Sequence, residues 1–178
     1  SGQAMRDGKT KFFMSLGGNF VRVMSDTLEA EKGMANNELT VHLSTKPNGS
    51  HTWPGEKSLI LPVKARTDRD LQASGPQKVT VEDSVAKVHA SIGHRRANED
   101  LSLASEVEII CSIGRETFGD AFWQPLIDDY ANIRDAIEGT IPGFDDYNKR
   151  IETPGGFSLP NGPRERMFHT DTGKANFS

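Results

Sequence analysis

A few short stretches of this 178-residue chain hold the residues whose types and spacing could do chemistry. Leu16, Gly17, Gly18 and Asn19 end an apolar run that begins at Lys11. Ser44, Thr45 and Lys46 bring two hydroxyls and a cation to the end of a second run, Glu38 to Leu43. Lys64 to Asp70 is densely charged and contains Arg66 and Arg69, and Glu106 follows Ser105 at a helix start. Glycines lack Cβ, so their backbone N–H groups can approach an anion closely, and a helix start adds a favourable dipole. A carboxylate such as Glu106 matches the paired donors, N1–H and the exocyclic amine, on a guanine edge. Each stretch also has an ordinary reading. Gly-Gly-Asn is a common tight-turn composition, charge runs are usually solvated loops, and an acid in the first helical turn offsets the dipole by about 0.3–1 kcal/mol.

Other constellations fail on spacing. His42, His51, His89, His94 and His169 are scattered without metal-ligand spacing. There is no Gly-x-Ser-x-Gly elbow, and Thr172-Gly173-Lys174 lacks the spacing of a phosphate loop. Asp68 and Asp70 are a potential carboxylate pair, but their basic neighbours offer them simpler partners. With no nucleophile–base pair to assemble, a small hydrolase is disfavoured. Cys111 stands alone, so an internal disulfide or an all-cysteine metal site is excluded, and its apolar helical setting reads as a buried, inert thiol. The residues read as a nucleotide-type binding domain, with no catalytic residue and no metal ligand assigned.

The elements that must position these groups follow from periodicity. Residues 2–8 read as the tail of a helix capped at Asp7-Gly8. Lys11 to Asn19 reads as a fully buried strand ending in glycines, and Asp26 with Glu29 has capping-box spacing for a helix from Thr27 to Ala35. Glu38 to Leu43 is a second strand, so the order strand–helix–strand predicts a parallel, right-handed βαβ unit. Ser50 to Lys57 is loop, and Ser58 to Val63 a third buried strand ended by Pro62. In such a sheet, ligands collect at the carboxyl ends of the strands. Residues 77–82 and 84–91 read as two short strands, and 92–101 as a polar loop. Ser105 and Glu108 cap a helix from Glu106 to Phe118, followed by an amphipathic helix from Trp123 to Glu138 and a shorter one from Pro142 to Arg150. Residues 153–163 form a connector, and Phe168 to Phe177 reads as the opening of strand structure. The expected architecture is α/β: a mostly parallel sheet in a three-layer α/β/α, Rossmann-like domain (1–119), a helical C-terminal appendage (120–152) and a connector (153–178).

Composition is ordinary for a soluble domain, with 35% hydrophobic and 26% charged residues. A net charge of −4 argues against a nucleic-acid or acidic-membrane surface. No apolar run reaches the length of a membrane span and no signal peptide is visible, so a cytoplasmic address is the default expectation. Ser1-Gly-Gln-Ala-Met reads as a chain picked up in mid-helix, as in an excised piece of a larger protein.

Several motifs together carry a resemblance. Residues 13–20 (Phe-Met-Ser-Leu-Gly-Gly-Asn-Phe), 40–51 (Thr-Val-His-Leu-Ser-Thr-Lys-Pro-Asn-Gly-Ser-His), 59–62 (Leu-Ile-Leu-Pro), 80–84 (Thr-Val-Glu-Asp-Ser) and 155–161 (Gly-Gly-Phe-Ser-Leu-Pro-Asn) occur in this order along nearly the whole chain. Their combination resembles the formate-dehydrogenase-like molybdopterin oxidoreductases of the dimethyl sulfoxide reductase superfamily. The resemblance implies the third domain of a much longer enzyme, which holds molybdenum or tungsten between two pterin–guanine dinucleotides. This domain would bind one molybdopterin guanine dinucleotide. Leu16 to Asn19 match the glycine turn along the cofactor. Ser44 and Thr45, next to Lys46, match the pair that contacts the guanosine portion. Arg69 matches a basic loop residue, and Glu106 an acidic residue that binds guanine, where relatives often have Asp. The loop Lys64 to Gly75 lacks the acidic-glycine pattern of other branches. The tail Phe168 to Phe177 is similar to the stretch that opens a last, barrel-like domain. The metal ligand and any iron–sulfur cluster would lie in other domains of the parent chain. Those domains, a small substrate and a redox partner are the implied partners, and the piece alone would be inactive. The alternative is a stand-alone nucleotide- or anion-binding regulatory module.

Overall fold

The computed structural model describes residues 2–94 and 102–177; the part of the expected polar loop at 95–101 lies outside the described residues. Contacts divide the chain into two units, residues 1–68 with 95–113, and residues 69–94 with 114–178.

The first unit is built on three parallel strands in the order β1 (Phe12–Leu16), β2 (Leu39–Ser44), β3 (Lys57–Pro62). Phe12 faces Leu39 and Leu16 faces Leu43 across one pairing, and Leu39 faces Lys57 across the other. Side chains alternate across a strand, so β2 splits into two sets. Val41 and Leu43 join Val63, Met14 and Ile109 in one apolar cluster, with Ile109 supplied by α4 (Glu106–Phe118). On the other face lie α1 (Gly2–Arg6), α2 (Phe20–Val23) and α3 (Thr27–Ala35), where Met5, Val21 and Met34 pack with Phe13, Phe20 and Ala30. This α/β/α layering is the expected fold class. The capping signals also form as expected: Asp26 Oδ1 accepts from Glu29 N–H at 3.1 Å, and Ser105 Oγ accepts from Glu108 N–H at 3.0 Å.

The burial expected of the strands is corrected. Only β2 is inside; Phe12 and Leu16 of β1 are exposed, as are Leu59 and Ile60 of β3. An apolar run specifies a strand but does not say whether it sits at the centre or the edge of a sheet.

The second unit differs from the mostly parallel expectation. β6 (Val79–Glu82) and β7 (Lys87–Ser91) form an antiparallel hairpin, extended antiparallel by β8 (Phe157–Ser158), while β4 (Leu71–Gln72) pairs antiparallel with β5 (Gly75–Pro76). Val88 of the hairpin packs with Tyr147 and Ile151, and Tyr147 Oη donates to Thr80 Oγ1 at 2.8 Å. Hairpin and C-terminal helices thus share one core. The expected helix from Trp123 to Glu138 is two helices, α5 (Asp120–Asp128) and α6 (Tyr130–Glu138). Asp129 is extended between them and caps the second, its side chain accepting from Ala131 N–H. The last helix, α7 (Tyr147–Arg150), starts later than Pro142. Residues 168–177 form a turn in place of a strand, with Gly173 N–H donating to Thr170 O at 2.9 Å. Among the described residues no helix is long and apolar enough to cross a membrane.

Candidate functional site

The carboxyl ends of β1 and β2 lie side by side, and the chain leaves each through a turn rich in hydrogen-bonding groups. Gly17 and Gly18 both adopt positive φ, +61° and +72°, a conformation that side chains other than glycine rarely tolerate. Gly17 N–H donates to Leu43 O at 2.7 Å, which ties the glycine turn to the next strand. A Cβ placed on Gly17 would stand 3.6 Å from Glu106 Oε1, while one on Gly18 would meet nothing within 4 Å. The sheet end therefore presents an open glycine turn with a half-buried carboxylate from the first turn of α4 beside it.

The loop after β2 completes this edge. Asn48 Nδ2–H donates to Gly18 O at 2.9 Å, and its Oδ1 accepts from Ser50 N–H at 2.9 Å. Ser50 Oγ accepts from Val21 N–H at 3.1 Å and donates to Asn19 Oδ1 at 3.0 Å. Ser44 Oγ lies 3.1 Å from His51 Nε2, and His51 Nδ1 accepts from Asn48 N–H at 3.3 Å. Beneath them His42 is 1% exposed, its Nδ1 3.1 Å from Ser15 Oγ and its ring 4.8 Å from that of His51. Burial, and next the neighbouring His51, push the His42 pKa below the ordinary histidine value.

The structure thus brings Leu16, Gly17, Gly18, Asn19, Ser44 and Glu106 to one sheet end, with Thr45 and Lys46 exposed on the loop leaving β2. Arg69 belongs to the second unit and is exposed there, next to Asp70. The two acids of that loop have separate work. Asp68 Oδ2 accepts from Ala65 N–H at 2.8 Å, whereas buried Asp70 takes hydrogen bonds from Tyr130 Oη and Gln72 Nε2. Cys111 is buried, and burial raises its thiol pKa, as suits an inert side chain. Among the described residues no group of His, Cys, Asp or Glu is placed to hold a metal ion.

Asn48, Ser50 and His51 are the site residues that periodicity did not single out. The signal was available in Asn48-Gly49-Ser50, where Asn precedes a residue that can be capped. The chemistry of the edge suits an anionic nucleotide. With the Gly17 N–H taken by Leu43 O, it combines the Gly18 N–H, a hydroxyl and a carboxamide with one carboxylate, which fits a ligand that carries acceptors along its phosphates and donors on its base.

No family model matches the chain. It is 47% identical over 180 residues to an uncharacterized oxidoreductase of Mycobacterium tuberculosis, a match that takes in 99% of this chain and 23% of that protein. A protein of the same description from Mycobacterium bovis matches at the same 47%. Protein YdeP of Escherichia coli is 40% identical over 177 residues, with 98% of this chain and 23% of that protein covered. The chain therefore spans about a quarter of the length of the curated relatives it matches, and corresponds to one segment of these longer proteins.

Proposed function

We propose that this chain is the cofactor-binding segment of a molybdopterin-dependent, formate-dehydrogenase-like oxidoreductase, holding the guanosine and pyrophosphate part of one molybdopterin guanine dinucleotide. The observation that carries the reading is the Glu106 carboxylate beside the Gly17–Gly18 turn, at the carboxyl ends of two adjacent parallel strands. The Gly17–Gly18–Asn19 turn would lie along the pyrophosphate, Ser44, Thr45 and Lys46 would meet the guanosine portion and its adjoining phosphate, and Glu106 the donor edge of guanine. When bound, the cofactor supplies two-electron redox chemistry on a small substrate at its metal, and this segment contributes binding and orientation. The relatives named as oxidoreductases support a redox parent. Phe118 at 79% and Phe122 at 60% exposure support a segment that packs against further protein, since large exposed apolar patches mark interaction surfaces. Arg69 is assigned to the same cofactor on the resemblance alone.

The test is an NMR titration of the chain with GDP and, separately, with ADP. Shifts for GDP alone, clustered at Gly17 to Asn19, Ser44-Thr45 and Glu106, support the guanine reading. A preference for ADP, or shifts elsewhere, favours a stand-alone nucleotide-binding regulatory module instead.

A further inference from the structure

Hydrogen-bond direction at the sheet end can be deduced atom by atom. A backbone N–H can only donate, so the 3.3 Å contact from Asn48 N makes His51 Nδ1 an acceptor. A neutral imidazole with an accepting Nδ1 carries its proton on Nε2. His51 Nε2–H therefore donates to Ser44 Oγ across 3.1 Å. The Ser44 hydroxyl hydrogen is then unspent, because among the described residues Ser44 Oγ has no other hydrogen-bond partner, although Ser44 is only 6% exposed. The same logic holds at Asn19. Val21 N–H donates to Ser50 Oγ and the Ser50 hydroxyl hydrogen goes to Asn19 Oδ1, while among the described residues the Asn19 Nδ2 hydrogens have no protein acceptor. Residues one layer further back thus occupy one acceptor site on each side chain and leave its hydrogens free to donate.

We infer that His51 is a positioning residue that fixes the Ser44 hydroxyl as a donor, with Ser50 doing the same for the Asn19 carboxamide, so that this edge selects ligands presenting oxygen acceptors. The ligand class is a phosphate- or pyrophosphate-bearing anion. This rests on the nucleotide reading above but goes beyond it, since it assigns roles to His51 and Ser50 and a direction to each bond. An acceptor on the ligand can take the unspent Ser44 hydrogen without displacing the bond from His51.

The experiment uses the full 178-residue chain. Long-range nitrogen–proton NMR of the histidine rings should find His51 neutral with its proton on Nε2; a proton on Nδ1 overturns the inference. Two substitutions then separate positioning from turn structure. The amide oxygen of His51→Asn replaces the Nδ1 acceptor but removes the donor to Ser44, whereas the amide nitrogen of His51→Gln replaces that donor and loses the cap of Asn48 N–H. Affinity for inorganic pyrophosphate and for GDP should fall about five- to tenfold in His51→Asn and in Ser44→Ala, the loss of one hydrogen bond, and stay within about twofold of the parent in His51→Gln. The reverse order, or equal affinities in all variants, overturns the inference. Binding of pyrophosphate without GDP would remove the guanine reading of Glu106 and leave the donor assignment standing. Binding of neither would remove both.

Discussion

Glu106 Oε1 stands 3.6 Å from the place a Cβ would take on Gly17, whereas the neighbouring Gly18 has nothing within 4 Å of the same position. Both residues hold positive φ. Alanine at either should therefore cost about 1–2 kcal/mol of stability through backbone strain alone. Urea unfolding should place the two variants close together, while only Gly17→Ala brings a methyl against the carboxylate. GDP affinity should fall further in Gly17→Ala than in Gly18→Ala, and equal losses would detach Glu106 from the turn.

Replacing Glu106 by Gln keeps the shape and removes the charge. GDP binding should weaken by about 1–3 kcal/mol, the usual cost of spoiling a charge-assisted hydrogen bond. Tyr130→Phe is the contrast. It deletes the hydroxyl that donates to buried Asp70 in the second unit, so stability should drop by about 1–3 kcal/mol with GDP affinity unchanged. Calorimetric titration of both proteins, beside their unfolding curves, checks the pair. Equal GDP affinity in Glu106→Gln and the parent would take Glu106 out of the site.

Gly156 lies where two stretches of main chain in the second unit come close together. It has a φ of +66°, and a Cβ there would lie 1.8 Å from Val88 O and 2.8 Å from His89 Cα, both main-chain atoms. Neither can yield without breaking the pairing of Val88 with Phe157. Gly156→Ala should cost at least about 3 kcal/mol, combining strain with a clash that no rotamer relieves. A loss below about 1 kcal/mol in urea unfolding would show that β8 is not held against β7.

His42 gives the first unit a pH dependence of definite sign. Its ring is buried, faces Phe13, Ser15 and His51, and has a pKa depressed first by burial and then by His51. As pH falls, the unfolded chain takes up this proton before the folded protein does. The stabilisation is whole above the ordinary histidine value of about 6.5 and is lost as pH drops from there toward the folded value. Thermal midpoints should fall between about pH 7 and pH 5, with a shallower slope in His42→Gln. Identical slopes would assign the effect to other groups.

Much of this was legible in the chain, and for identifiable reasons. Asp26 with Glu29, and Ser105 with Glu108, announced two helix starts because an N-cap works through contacts three residues apart. The glycine turn and the hydroxyls after β2 were legible because residue type and position along a strand fix which end they occupy. What escaped depends on tertiary packing. Edge and centre strands share one apolar vocabulary, so the exposure of Leu59 and Ile60 could not be read. The break at Asp129 was hidden because apolar spacing continues across it from Ile127 to Tyr130. The pairing of Val88 with Phe157 joins segments far apart in sequence, for which periodicity has no signal. The roles of Asn48, Ser50 and His51 appear only once two loops are brought together.

The open side of β3 has a practical consequence for anyone handling this chain. β3 pairs only with β2 among the described strands, leaving a row of main-chain donors and acceptors beside half-exposed Leu59 and Ile60. Such a border is a template for adding strands from a neighbouring molecule, restrained here by Lys57 at one end and by Pro62, which has no N–H, at the other. Concentrated solutions are therefore expected to self-associate through residues 57–62, and a lysine at Ile60 is the change to make for solubility without touching the glycine turn.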